Sequence, residues 1–170
     1  MIYALVHYPN VGSLRVNQFR KKHDPQVDLI APHITLMFPV PESIGEDRLV
    51  RHVEMLLCNW LPFPIHLHGV QISSDNRLFL MLQEGNAYII RLHDEIYTGI
   101  LIQHRREDIP FVPHITLGVV EGDSTNHKRI LEEAEQLGID QHCLLDKLHL
   151  IKVNNERTRI VWSKEFLLPD

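Results

Sequence analysis

The pentapeptide Pro-His-Ile-Thr-Leu occurs twice in the chain, at residues 32–36 and at residues 113–117. In a strand, side chains alternate between two faces, so His33 should share a face with Thr35, and His114 with Thr116. An imidazole titrates near neutral pH and can take or give a proton. A hydroxyl can donate a hydrogen bond to developing negative charge. Two such faces around one anion would suit phosphodiester cleavage without a metal ion.

A single His-x-Thr on a strand is usually a surface histidine followed by a residue with high β-propensity. Two copies in matching surroundings change that interpretation. A repeat of the fold explains the shared aliphatic residues but does not require His and Thr on the polar face. We therefore predict that His33, Thr35, His114 and Thr116 are catalytic residues, with one histidine as general base and the other as general acid.

The elements around the two copies follow a similar order of strand, helix, motif, helix, strand, turn and strand. Turn residues and hydrophobic spacing set their expected limits. The expected strands are 2–8, 63–72, 78–82, 142–153 and 158–167. The expected helices are 13–22, 87–102 and 128–137, with a further helix after a capping box at Ser43–Glu46.

This order predicts an α/β (α+β) fold in a single bilobal domain covering residues 1–170. Each of two pseudo-symmetric lobes would be a small, mainly antiparallel sheet flanked by helices, with a central cleft between them. The pseudo-repeats, approximately 2–82 and 78–167, would be interleaved. No Pro/Gly/Ser-rich linker suggests two independent domains.

Composition narrows the class of protein. The chain has 170 residues, 44% of them hydrophobic and 23% charged, which is typical of a globular protein and excludes a disordered chain. A net charge of −5 argues against a general nucleic-acid coating protein. Two cysteines form no disulfide framework, and neither a signal peptide nor a membrane-spanning segment is evident. We expect a cytoplasmic protein that does not bind a membrane.

The paired motifs resemble those of the two-histidine (2H) phosphoesterase superfamily, whose members carry paired His-x-Thr-x motifs in a bilobal α/β fold. More narrowly, the chain resembles the 2′-5′ RNA ligase group, which includes RNA 2′,3′-cyclic phosphodiesterases. The similar segments also include Lys21–Pro25, Phe38–Pro39 and Phe111–Gly118.

The resemblance implies a metal-independent hydrolase without a cofactor, acting on 2′,3′-cyclic phosphates of RNA ends or nucleotides. It implies that His33 protonates the leaving ribose oxygen and that His114 activates water. The reverse assignment stays open, because the two local sequences are nearly symmetrical. No obligate protein partner is evident.

Two rival functions stay open at this point. The chain could be a nucleotide or RNA-end binding module with weak or no catalysis, although a binder need not keep both histidines and both threonines. It could also have 2′-5′ RNA ligase activity. The sequence has no nucleotide-activating motif such as a P-loop, so ligation would have to use a cyclic phosphate end.

Some members of the resembled group carry an arginine just after the second motif, where this chain has Gly118. The glycine is expected to leave room for a substrate group. Candidate substrate-binding residues elsewhere are the arginines Arg105, Arg106, Arg157 and Arg159 and the aromatic residues Tyr3 and Phe111. Each of these, taken singly, is more simply explained as a solvated charge or as a core residue.

Two further histidines, His66 and His68, would lie on one face of a strand, as metal ligands often do. Zinc needs three or four ligands, and no cysteine or carboxylate spacing supplies the others. We therefore predict a structural role for both and no metal site. His7, on the first strand, is not assigned a role.

Overall fold

A computed structural model describes residues 1–169, which form eight strands with four α-helices and two short 3₁₀ helices. The 3₁₀ helices are Glu42–Ile44 and Gly99–His104. In chain order the other elements are β1 (Ile2–His7), α1 (Ser13–His23), β2 (Ile34–Pro41), α2 (Glu46–Leu57), β3 (Phe63–Ile72), β4 (Arg77–Glu84), α3 (Asn86–Ile96), β5 (His114–Val119), α4 (Ser124–Glu135), β6 (Asp140–Leu145), β7 (Lys147–Val153) and β8 (Ile160–Leu167).

The eight strands form one sheet in the order β6-β3-β4-β5-β2-β1-β7-β8. The neighbouring strands pair antiparallel. Long ladders hold each half together, and the ladders of the two halves are joined at the pair Ile34–Ile115, between β2 and β5. Helices α1 and α3 also pack across this junction, on β5 and β2 respectively. This confirms the predicted α/β fold in a single bilobal domain, with the two motif strands at its centre.

The helices cover one face of the sheet with amphipathic surfaces. Helix α2 buries Leu49, Val53 and Leu57, and helix α3 buries three aliphatic residues and one histidine at the same kind of helical spacing. These side chains join a single core cluster with the inward residues of the sheet, such as Ile34 and Leu80. Each fully buried aliphatic side chain contributes about 1.5–3 kcal/mol to folding. The helices therefore leave the opposite face of the central strands free for polar residues.

The expected strand 142–153 is in fact two strands, β6 and β7, divided at Asp146. Strand β6 pairs with β3 at one edge of the sheet, whereas β7 pairs with β1 in the other half. The chain therefore crosses between the halves at this point. A continuous apolar pattern did not reveal the crossing, because the two strands differ only in their distant partners.

Two helix predictions need correction. The capping box is wrong, because Ser43 lies in a 3₁₀ helix and α2 starts after Gly45, whose φ of 92° favours glycine. The expected helix 87–102 ends at Ile96, and residues 99–104 continue as a 3₁₀ helix. In contrast, the carboxylate of Asp123 caps α4 by accepting hydrogen bonds from two backbone amides. No helix within residues 1–169 is long and apolar enough to cross a membrane.

Candidate active site

The two motif histidines lie on either side of the residue pair that joins the strand ladders of the two halves. Ile34 pairs with Ile115, and His33 and His114 come immediately before them. In an antiparallel pair these histidines are diagonal neighbours on one face, with Cα atoms about 7–8 Å apart. Both are half-buried. The register therefore brings the two imidazoles close together on the polar face of the central strands.

The same register places the threonines across the strand pair. Extended by one residue from Ile34–Ile115, it sets Thr116 opposite His33 and Thr35 opposite His114. Each hydroxyl therefore lies beside the histidine of the other motif, whereas the sequence suggested its own. The four side chains are neighbours on the polar face of the strand pair.

Both imidazoles are held in the same orientation by their own backbone. The Nδ1 of His33 lies 2.9 Å from the carbonyl oxygen of Ala31, and the Nδ1 of His114 lies 2.6 Å from that of Val112. A carbonyl only accepts, so Nδ1 carries the proton in each ring. The Nε2 atom is then the nitrogen that each ring offers to a ligand, and it accepts a proton whenever the ring is neutral.

A β-bulge follows the threonine of each motif, at Leu36 in β2 and at Leu117 in β5. On both strands one extra residue interrupts the ladder, which reverses the alternation of faces. The ladder pairs that flank these bulges are Val6–Thr35 and Leu5–Met37 in the first half, and Phe79–Thr116 and Leu78–Gly118 in the second. The residue after each bulge consequently points into the core instead of the cleft.

The bulge overturns the expectation that Gly118 leaves room for substrate. Gly118 is buried beneath the end of α1. A Cβ atom there would lie 2.6 Å from the Cβ of His23 and 2.8 Å from its carbonyl oxygen. The missing side chain therefore allows the close approach of α1, and the space is not open to a ligand.

Beyond Ile34 the two motif strands separate, and helix α3 satisfies the freed edge of β2. The Nδ1 of His93 lies 2.7 Å from the carbonyl oxygen of Leu36. The hydroxyl of Tyr97 accepts a hydrogen bond of 2.8 Å from the amide of Phe38. Phe111 stacks on the His93 ring, with centroids 3.6 Å apart. His93, Tyr97 and Phe111 form a wedge of side chains that contacts β2 where it separates from β5.

The surroundings of His33 include two polar aromatic rings that the sequence did not single out. The ring of Tyr8 lies 6.3 Å from that of His33 and 4.9 Å from that of His149. Thr35 and His149 both pair with Val6, so they face the same side of the sheet. Neither Tyr8 nor His149 lies in a recognisable motif, and only the pairing of three distant strands brings them to the site.

The surroundings of His114 are different. Phe79 stacks on its ring with centroids 3.5 Å apart and an interplanar angle of 23°. Burial lowers the pKa of His114, the bond from its Nδ1 to Val112 opposes this, and Arg77 lowers it further. Arg77 is held by Asp75 at 2.9 Å. Arg77 is thus a cation close enough to lower the pKa of His114, and the sequence analysis did not single it out.

The two motif histidines also act on each other. Burial is the main cause that lowers the pKa of His33; the bond from its Nδ1 to Ala31 raises it, Arg20 lowers it, Asp24 raises it and His114 lowers it. A charge on one ring therefore disfavours a charge on the other. The repulsion therefore favours at most one positive charge on the pair.

The structure separates most of the other predicted residues from this group. Tyr3 is buried in the core, where its hydroxyl donates to Glu46 over 2.9 Å. Five residue steps along the chain divide it from Tyr8, or about 17 Å at the usual rise of a strand. Arg157 and Arg159 lie in the turn between β7 and β8, at the end of the sheet where Val153 pairs with Ile2.

The remaining candidates, and the unassigned His7, make contacts with other groups. Arg105 is held by Asp94 at 2.7 Å, and Arg106 by both carboxylate oxygens of Asp108. Phe111 is part of the wedge against His93. His7 is buried, with its Nδ1 2.8 Å from the carbonyl oxygen of Lys147.

The sequence that carries the two histidines also matches a known family. The family model described as the 2′-5′ RNA ligase superfamily matches residues 8–157, which include both motifs. The chain belongs to this superfamily. It is therefore a member of the two-histidine phosphoesterases, as the paired motifs predict.

Similar proteins agree with this assignment. A "putative phosphoesterase" of Bacillus licheniformis is 27% identical over 156 residues, covering 89% of each chain. A protein of the same description from Bacillus cytotoxicus is 29% identical over 146 residues, covering 84% of this chain and 83% of the relative.

Two solved structures share the fold of this chain. E. coli LigT in complex with ATP aligns with a TM-score of 0.59 at 16% identity, covering 99% of this chain and 98% of LigT. A protein of Thermus thermophilus aligns with a TM-score of 0.62 at 16% identity, covering 99% and 96% of the two chains. At this identity the agreement concerns the architecture, which is the one described above.

Proposed function

We propose that the protein hydrolyses 2′,3′-cyclic phosphates of RNA ends or nucleotides by general acid–base catalysis between His33 and His114. The supporting observation is the matched geometry of the two imidazoles. Both rings hold Nδ1 against a carbonyl oxygen two residues back, and so both leave Nε2 as the nitrogen available to a substrate. Membership of the two-histidine phosphoesterases supports the reaction type. E. coli LigT has been crystallised with ATP, 3′-AMP and phosphate.

In the proposed reaction His114 acts as base and His33 as acid. Nε2 of His114 takes a proton from water while the water oxygen forms a bond to phosphorus. The bond from phosphorus to the ribose 3′ oxygen breaks, and that oxygen receives the proton from Nε2 of His33. The product is a 2′-monophosphate, and proton exchange with solvent restores the pair.

The threonines are proposed to stabilise the charge that develops on phosphorus oxygens. Thr35 and Thr116 sit opposite the two histidines on the same face of the strand pair. A hydroxyl in that position can donate to a non-bridging oxygen throughout the reaction. Because the site holds its donors on paired strands, little rearrangement is needed as charge develops.

The direct test is incubation with the four 2′,3′-cyclic nucleotides and with an RNA ending in a cyclic phosphate, in the presence of EDTA. We expect a 2′-monophosphate product. His33→Ala and His114→Ala should each lower kcat by about 10²–10⁴-fold, while His104→Ala, a change in the 3₁₀ helix 99–104, should not. Turnover at the normal rate without either histidine would reject the proposal. Tight binding of the substrates without turnover would instead identify a binding module.

The assignment of acid and base is tested with a leaving group that needs no proton. A nucleoside p-nitrophenyl phosphodiester releases a stabilised phenolate. The His33→Ala variant should then recover most of its lost rate, whereas His114→Ala should not. Recovery by His114→Ala alone would reverse the two roles.

A further inference from the structure

A second group of histidines lies at the edge of the sheet, on strands β3 and β6. His66 pairs directly with His142, and His68 pairs with Asp140. Ile65 and Leu67, which alternate with the two histidines along β3, are buried in the core. The four polar side chains therefore occupy adjacent positions on the face that lies away from the helices.

The contacts within this group are short. The Nε2 of His66 lies 2.6 Å from Oδ1 of Asp140. The rings of His66 and His142 stack with centroids 3.9 Å apart at an angle of 9°. One ligand-type atom from each of His66, Asp140 and His142 lies within 4.8 Å of the other two. Strand pairing thus supplies the carboxylate and the further imidazole that sequence spacing failed to reveal.

This arrangement suits a divalent transition metal. Two imidazole nitrogens and one carboxylate form a common ligand set for Zn²⁺, with a fourth position for water or another side chain. An imidazole nitrogen binds a metal in the plane of its neutral ring, so the two parallel rings would have to turn about their Cβ–Cγ bonds to reach one ion. A surface pair of strands has no evident packing need for three histidines side by side.

His68 lies beside this group, although its ring nitrogens are not among the atoms that lie within 4.8 Å of one another. Its Nδ1 lies 3.1 Å from the carbonyl oxygen of Ile139, so Nδ1 carries the proton and Nε2 is the nitrogen available to a metal. Its ring lies 5.8 Å from that of His66. Ligating histidines commonly donate their other N–H to a backbone carbonyl in this way.

We propose that His66, Asp140 and His142 bind one Zn²⁺ or a divalent metal of similar preference, with His68 as the fourth ligand. The site is separate from the pair His33 and His114: β3 and β6 lie two and three strands away from β5, or about 10–14 Å across the sheet. A bound ion would fasten the edge strand β6 to β3. The proposal does not depend on the phosphodiesterase activity.

The test uses untagged protein stripped of metal with a chelator. Zn²⁺ is titrated in competition with a chromophoric chelator, and Co²⁺ is added separately to report tetrahedral geometry from its visible absorption. We expect one tightly bound ion per chain. His66→Gln and His142→Gln should each weaken Zn²⁺ binding at least about 100-fold, more than is usual for changes outside the ligand shell.

The matched control is the double variant His33→Gln/His114→Gln, which removes the other paired imidazoles and should leave the affinity for Zn²⁺ unchanged. Asp140→Asn gives an independent ligand variant at a position whose side chain is 63% exposed, so its folding should be unaffected. Absence of stoichiometric binding to the unmodified protein would overturn the proposal. So would loss of binding in the double variant together with retention in His66→Gln.

Discussion

The two halves of the sheet present the same inner geometry to the cleft but surround it with different residues. In each half a histidine holds Nδ1 against a backbone carbonyl, and a bulge follows the threonine. Around His33 lie Tyr8 and His149. Around His114 lies a stacked phenylalanine, with an arginine close enough to lower its pKa. The shared part is the basis of the proposed chemistry, and the unshared part gives the two histidines different surroundings.

After the histidines themselves, the largest effect expected from changing the shared part concerns the threonines. Thr35→Val and Thr116→Val preserve shape and β-propensity but remove the hydroxyl donor. Each should lower kcat by about 100-fold with little change in KM, since loss of one such donor usually costs about 10²–10³-fold. Steady-state kinetics with a 2′,3′-cyclic nucleotide measures both values.

Serine at each position is the matched control, because it keeps the hydroxyl and should keep most of the rate. If only one of the two valine variants lost activity, the mirror relationship between the halves would not extend to their donors. If Thr→Val changed KM alone, the threonines would contribute to ground-state binding only.

The next effect concerns the residue after each bulge, which is Met37 in one half and Gly118 in the other. Both are buried, but His23 of α1 closes the space over the glycine. Gly118→Ala should lower the free energy of unfolding by about 1–3 kcal/mol, as overpacking typically does. Urea denaturation measures this loss.

Combining Gly118→Ala with His23→Ala sharpens the comparison. The close contacts involve the Cβ and backbone of His23, which alanine retains, so the second change should not restore stability. Recovery in the double variant would show that the outer part of the His23 side chain, and not the backbone of α1, fills the space.

The smallest effect concerns the unshared ring that stacks on His114. Phe79→Leu opens one face of the imidazole to solvent, so the pKa of His114 should rise towards its ordinary value because burial is what lowers it. Activity should fall by about tenfold or less, the scale of one aromatic contact. An NMR titration of the histidine ring protons follows the pKa, with Tyr8→Phe as a control that should leave His114 unchanged. A fall in that pKa would contradict the assigned cause.

The shared face of the histidine and threonine within each motif could be predicted from the sequence, because that signal is local. His33 and Thr35 need only strand alternation to share a face, and the second copy repeats that argument. The helices and most strands also followed from periodicity and turn residues. These parts depend on neighbours within a few residues.

What the sequence could not predict depends on strand pairing over long distances. The cross-strand placement of Thr116 beside His33 needs the pair Ile34–Ile115. The division at Asp146 needs the opposite destinations of β6 and β7. The same reason applies to Asp140, which joins His66 only because β6 returns to β3. The separation of such residues along the chain gives no indication that they are neighbours in the fold.

The central claim is that one neutral and one protonated imidazole act on a common anion, and the pH dependence of kcat/KM tests it most directly. Burial lowers the pKa of both rings. The bell-shaped profile should therefore lie on the acidic side of about 6.5, the ordinary imidazole pKa. Rates fall at low pH as the base becomes protonated and at high pH as the acid loses its proton.

Each histidine variant should lose a different limb of that profile. With residual activity measured over the same range, His33→Gln should lose the alkaline limb and His114→Gln the acidic limb, each relative to the unmodified protein. Loss of the same limb in both variants, or a single-limbed profile in the unmodified protein, would contradict the account.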